Sequence, residues 1–215
     1  MQITTRMDPP DVDSRLAELG LTRELLIQAV MQGMMARSEC TPNDPPLYPG
    51  FATWARTVRS LRELLSPQPY GWSRSDDGGY SLVINPSGKM AIAVATGDEN
   101  TGSAIVPLTK SPKGPRTQVA IEVNQCQLSL EGFEAIDTLN DQRGDCMTWI
   151  LLQHYDQMRK EVLIELSLPN SYSGKVDGWS ERIIVGSLPF DSSTVIPVPV
   201  LPSLPDIDIP LRRRA

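Results

Sequence analysis

Proline decides where regular structure can run in this chain. Nineteen of the 215 residues are proline, about 9% against a usual 5% or so. Each one lacks an amide donor and collides with the preceding helical turn, so it cannot sit inside a helix without breaking it. Pro42, Pro45, Pro46 and Pro49 therefore separate two helical stretches, and Pro67 and Pro69 end the helical zone. Pro107, Pro112 and Pro115 mark a long loop, while Pro197, Pro199, Pro202, Pro205 and Pro210 fill a C-terminal tail.

Between these breaks the apolar period names the elements. Residues 11–66 read as helices, with Thr22 as an N-cap and Leu21 stapled to Leu26. Phe51, Trp54, Val58, Leu61 and Leu65 advance in helical steps and form one stripe. From Tyr70 the period shortens to two. Residues 81–97 read as two strands joined by a turn at Asn85-Pro86-Ser87-Gly88, and TQVAIEVN (117–124) reads as a further strand. Residues 128–142 favour a short helix. Residues 147–169 read as a hairpin turning between Asp156 and Lys160, and residues 182–190 as a last strand. In that hairpin Val162, Ile164, Leu166 and Leu168 share one side, which His154 joins from opposite Val162. Glu161, Leu163, Glu165 and Ser167 form the other side, so the sheet reads as buried on one face only. The expected architecture is α+β: an N-terminal helical unit (1–66), a mainly antiparallel β-rich domain (67–190) and an extended Pro-rich tail (191–215).

Several function classes fall away on composition. No apolar run approaches the roughly 18 residues of a membrane span, and the N-terminal MQITTRMDPPDVDSR lacks the apolar centre of a secretory signal. Cys40, Cys126 and Cys146 are odd in number and lack metal-site spacing, which points to a reducing, cytoplasmic setting. Twenty basic and twenty-six acidic side chains leave a net charge of −6, and most of that excess lies in the β-rich part.

Catalytic patterns are weak. His154 is the single histidine. On one regular strand Cys146 would lie about 26 Å from it, too far for a nucleophile pair. Gly88-Lys89 has Val83 and Met90 where a phosphate loop needs Gly and Ser or Thr, so it reads as a turn. The loop Gly97–Gly102 is rich in oxygen ligands, and Asp98, Glu122 and Glu165 are the acids best placed for a divalent metal. Neither glutamate is followed by the lysine that a Glu-x-Lys nuclease strand carries.

Binding patterns are stronger. Arg56, Arg59 and Arg62 recur at helical spacing away from the apolar stripe, and residues 100–121 combine Lys110, Lys113 and Arg116 with no aspartate or glutamate before Glu122. Arginine forks and lysines suit phosphate, so these six residues are the candidate nucleic-acid contacts. In the tail, Pro199, Pro202 and Pro205 keep the three-residue turn of polyproline II, with Leu201 and Leu204 between them. That surface is too apolar for an idle linker and suits docking on a protein groove or sheet edge. The sequence thus points first to a non-enzymatic regulatory protein that binds a protein partner or itself through the helical unit and the tail. A nucleic-acid-associated factor comes second and a metal-dependent nuclease or hydrolase third. No cofactor is expected.

Overall fold

The computed structural model describes residues 3–130 and 146–190. The tail candidates Pro199, Leu201, Pro202, Leu204 and Pro205 lie outside the described residues, as does most of 128–142. Three helices follow a short first strand: α1 (Pro9–Glu18), α2 (Arg23–Ser38) and α3 (Tyr48–Leu65). The strands are β1 (Thr4–Arg6), β2 (Ser73–Ser75), β3 (Leu82–Ile84), β4 (Met90–Thr96), β5 (Met147–Asp156), β6 (Glu161–Tyr172) and β7 (Val176–Pro189), and α4 (Pro115–Leu130) lies between β4 and β5. Together they form one seven-stranded sheet in the order β1-β7-β6-β5-β4-β3-β2.

Local chemistry explains most of the helical boundaries. Thr22 caps α2 by accepting a hydrogen bond from the Leu25 amide, one of the donors a helix start leaves unpaired. Pro45 and Pro46 keep α2 and α3 apart, and Pro49 falls in the first turn of α3, where a missing amide costs nothing. Gly33 lets the two helices touch: a Cβ there would meet Thr57 Oγ1 and lie 2.6 Å from the Thr53 carbonyl. Val58, Leu61 and Leu65 of the expected stripe are buried. Phe51 is not: it is 59% exposed, and Thr53, Thr57 and Ser60 are buried instead.

The sheet departs from expectation in one respect that changes much else. It is mixed, because β4 and β5 run parallel, as do β1 and β7. For β4 and β5 the cause is TQVAIEVN, which is not a strand but part of α4. Its alternating Val119, Ile121 and Val123 imitate a strand, yet the buried positions are Thr117, Ile121 and Asn124 at helical spacing, and Val119 is 52% exposed. Parallel neighbours need a crossover, and α4 supplies it.

Both faces of the sheet are therefore covered. Val94, Trp149, Leu151, Ile164, Leu166 and Ile183 join Leu26, Val30, Leu61 and Leu65 in one core, so the helical unit packs directly on the sheet. Ala95, Ile150, Leu152, Val176 and Trp179 form a second core with Ile121 of α4 on the other face. The one-sided reading of β6 fails here: Glu165 and Ser167 are fully buried. The segment from Gly97 to Gly114 straps across this face, with Trp179 Nε1 donating to the Pro107 carbonyl (2.8 Å) and the Gly102 amide to Glu165 Oε2 (2.7 Å).

Pro169 marks a gap in the β5–β6 ladder that α4 closes. The ladder pairs Ile150 with Ser167, and the next facing positions would be Thr148 and Pro169, where proline has no amide to give. Asn124 fills the gap. Its Nδ2 donates to the carbonyls of Thr148 and Pro169 (both 3.0 Å), and its Oδ1 accepts from the Thr148 amide (2.8 Å).

The hairpin register is also shifted by one residue. His154 pairs with Leu163, not Val162, because four residues separate the Asp156–Glu161 pair, with Lys160 at φ 53°. A one-residue slip moves a side chain to the opposite face. His154 consequently leaves the side of Ile164 and Leu166.

Candidate functional site

The parallel pair β4–β5 ends both its C-termini at one place. Val94, Ala95 and Thr96 meet Gln153, His154 and Tyr155 there, under the junction of α2 and α3 and beside the end of the strap. The result is a cleft of about 560 Å³, within the range of small-molecule sites. Carboxyl ends of strands in open sheets with helical crossovers are where such folds place ligands.

Three cations line it: Arg37 from α2, and Lys110 and Lys113 from the strap. Among the described residues no carboxylate does, in a chain of net charge −6. None of the three cations forms an ion pair among the described residues. The backbone fixes the two lysines. The Lys110 amide donates to the Thr96 carbonyl (2.9 Å), the Lys113 amide donates to Gly174 (2.9 Å), and Tyr172 Oη donates to the Lys113 carbonyl (2.6 Å). Burial holds the Lys113 ammonium below the usual lysine range, because a low-polarity surrounding disfavours the charged form. Arg37 lies 5.8 Å from the Tyr155 ring centre in a cation–π contact.

The opposite wall is aromatic and apolar. Phe51 and Trp54 of α3 sit with ring centres 5.7 Å apart, and Leu47 at the start of α3 is 86% exposed. This N-terminus has no side-chain cap and opens on the cleft through Leu47, Pro49 and Gly50, so it presents a positive dipole end. Two polar groups line the cleft from opposite faces of the sheet. Gln153 is 3% exposed; its Oε1 is 3.2 Å from Thr57 Oγ1, while its Nε2 is buried with no partner among the described residues. His154 places Nδ1 3.2 Å from the Gly97 carbonyl. A carbonyl only accepts, so Nδ1 carries the proton and Nε2 is the nitrogen left for a ligand.

The six candidate nucleic-acid contacts do not form one surface. Lys110 and Lys113 line the cleft. Arg59 pairs with Glu63 (2.7 Å), and Arg62 pairs with Asp76 (2.7 Å) while donating to the carbonyls of Ser75 and Leu82, so it braces β2 and β3. Arg56 and Arg59 border a separate hollow that also holds Glu39 and Asp44. Arg116 pairs with Asp77 (3.1 Å).

The acids considered for a metal also stay apart, and no group of three or more potential ligands forms among the described residues. Asp98 spends its carboxylate on the strap, accepting from the amides of Asn100 and Leu108 (both 3.1 Å). Glu122 accepts from Gln118 on the same helix, and Glu165 pairs with Arg182. Cys146 precedes β5 and His154 lies near its far end, so the unbroken strand separates them. None of the described helices is long and apolar enough to cross a membrane.

Arg37, Gln153 and Tyr155 escaped sequence reasoning, because only the parallel β4–β5 pairing brings them to the lysines. Phe51 and Leu47 left a trace: large apolar residues beside a proline cluster, where burial is hard to arrange. Comparison with protein-family models, curated proteins and solved structures finds no match.

Proposed function

We propose that this chain is a non-enzymatic recognition protein whose binding site is the cleft at the ends of β4 and β5, and that its ligand is an anion with a planar or apolar body. The observation that carries this reading is the lining itself: among the described residues three cations without an ion pair and a buried amide without a partner line one cleft with exposed Phe51 and half-buried Trp54, and no carboxylate joins them. An unpaired buried donor costs about 1–3 kcal/mol, and a ligand acceptor would recover that. Saturation-transfer NMR with a panel of anionic, neutral and cationic aromatic compounds tests it. Anionic members should give signals that a Lys110→Ala/Lys113→Ala variant loses. Equal signals from neutral or cationic members, or signals that survive the double substitution, would overturn the reading.

A second reading is favoured by one observation. Leu47, Tyr48 and Phe51 are 86%, 46% and 59% exposed at one corner of the helical unit, and clustered exposed apolar surface marks interaction sites. On this reading the corner, with the Pro-rich tail, contacts a second copy of the chain. Sedimentation velocity should show a concentration-dependent dimer that Leu47→Glu weakens; a monomer at every concentration tested sinks it.

A further inference from the structure

We infer that the cleft is a nucleotide site: its ligand is a nucleoside 5′-phosphate, free or at the end of a single strand. This deepens the proposal above and rests on it. Three independent features narrow the class of anion.

The first is charge. Arg37, Lys110 and Lys113 together with the uncapped start of α3 present more positive character than one carboxylate needs. A phosphate offers several oxygens and a charge between one and two, which suits lysine point charges and a helix N-terminus alike.

The second is the aromatic wall. Phe51 is 59% exposed beside Trp54, although a large apolar residue gains by burial. Nucleobases stack on such side chains irrespective of sequence, and a basic groove with exposed aromatic rings is the pattern of nucleotide and single-strand sites. A simple phosphate or a sugar phosphate leaves this wall unused.

The third is the polar lining. Gln153 Nε2 is a buried donor without a partner among the described residues, and His154 also lines the cleft. A fatty acid or an alkyl sulfonate has no groups for them along its apolar body. A base edge or a ribose hydroxyl does. A 560 Å³ cleft also admits a mononucleotide without rearrangement.

The test is isothermal titration calorimetry of the full chain with AMP, GMP, UMP, adenosine, ribose 5-phosphate, inorganic phosphate, naphthalene-1-sulfonate and a ten-residue oligothymidylate. At least one mononucleotide is expected to bind ten-fold or more tightly than adenosine, ribose 5-phosphate and inorganic phosphate. Lys113→Met and Phe51→Ala should each weaken it at least five-fold. Phe51 is an exposed side chain, so an unchanged melting temperature for that variant separates lost binding from lost folding. If the oligothymidylate binds ten-fold more tightly than UMP with the same two sensitivities, the source is a strand end, and the inference holds. If naphthalene-1-sulfonate or ribose 5-phosphate binds in a Lys113-dependent way and no mononucleotide binds more tightly, the nucleotide inference is overturned while the anion-binding proposal stands. If nothing in the panel binds, both are overturned.

Discussion

Glu165 and Arg182 form an ion pair with neither side chain exposed: Arg182 Nη2 lies 2.6 Å from Glu165 Oε2, and Nε lies 3.2 Å from Oε1. The pair also fastens the strap. Arg182 donates to the carbonyls of Ser103 (3.0 Å) and Ile105 (3.1 Å), and Glu165 accepts from the Gly102 amide and from Ser167 Oγ. Removing one partner of such a pair strands the other charge and costs about 3–5 kcal/mol, whereas replacing both by apolar groups is often close to neutral. Glu165→Leu and Arg182→Met should each lower the urea midpoint strongly. The double variant should be more stable than either single one, and additive losses in the cycle contradict this account.

Glu181, the residue next to Arg182 in β7, ties three elements together. It accepts from Arg15 of α1 (2.8 Å) and from Arg6 of β1 (2.7 Å). Burial by itself would raise its carboxyl, but the bonds from Arg15 and Arg6 outweigh it and hold the group below its ordinary value of 4.5. A lowered carboxylate stabilises the fold above its unfolded value and loses that contribution as pH falls through the folded one. Wild-type stability should drop below about pH 4.5 more steeply than that of Glu181→Gln. At pH 7 the variant should be less stable by about 1 kcal/mol, since the arginines are partly exposed and screened. Parallel pH profiles for the two proteins exclude the link.

The fold was legible wherever apolar spacing and burial coincide. Thr22, the turn after Asn85 and the buried Val58, Leu61 and Leu65 of α3 all follow local rules that the chain obeys. Legibility ends at α4, whose buried face is Thr117, Ile121 and Asn124: two of the three are polar, so no hydrophobic period reports it. Everything that depends on the crossover was then hidden, including the parallel strands, the second covered face and the convergence of Arg37, Gln153 and Tyr155 on the lysines. The shifted position of His154 has a different cause. A left-handed Lys160 lengthens the turn by one residue, and lysine does not announce that conformation as glycine would.

Gly33 and Gly50 should respond to alanine with opposite signs. Both lie in helices, where alanine is favoured over glycine by up to about 1 kcal/mol. At Gly50 an added Cβ meets nothing within 4 Å, so Gly50→Ala should raise the melting temperature slightly. At Gly33 the added carbon runs into Thr57 Oγ1 and the Thr53 backbone carbonyl. Overpacking costs about 1–3 kcal/mol and a backbone cannot step aside cheaply, so the clash wins. Calorimetry showing Gly33→Ala at or above wild-type stability refutes the close helix contact.

Asn124 acts as a piece of backbone between β5 and β6, making three hydrogen bonds while fully buried. Asn124→Leu keeps the volume and strands the Thr148 amide and two carbonyls, each costing about 1–3 kcal/mol when buried and unpaired. A loss of about 3 kcal/mol in chemical denaturation is expected, with faster hydrogen exchange at Thr148. Unchanged exchange there means the ladder closes without the side chain.

Lys113 gives the cleft a pH signature. Its ammonium is held below the usual lysine range by burial, whereas Lys110 is exposed on the same strap. An anion bound beside Lys113 favours the charged form and raises its pKa, so binding takes up a proton once the free protein has begun to lose it. Affinity for an anionic ligand should therefore fall as pH rises through the lowered value of Lys113. Lys113→Arg keeps its charge throughout that range and should flatten the decline, while Lys110→Arg should leave it in place. Calorimetric titrations in buffers of different ionisation enthalpy read the proton directly: uptake is expected for the wild type as pH rises through the lowered value of Lys113 and should vanish in Lys113→Arg. If both proteins show the same pH dependence, the ligand does not sit against Lys113.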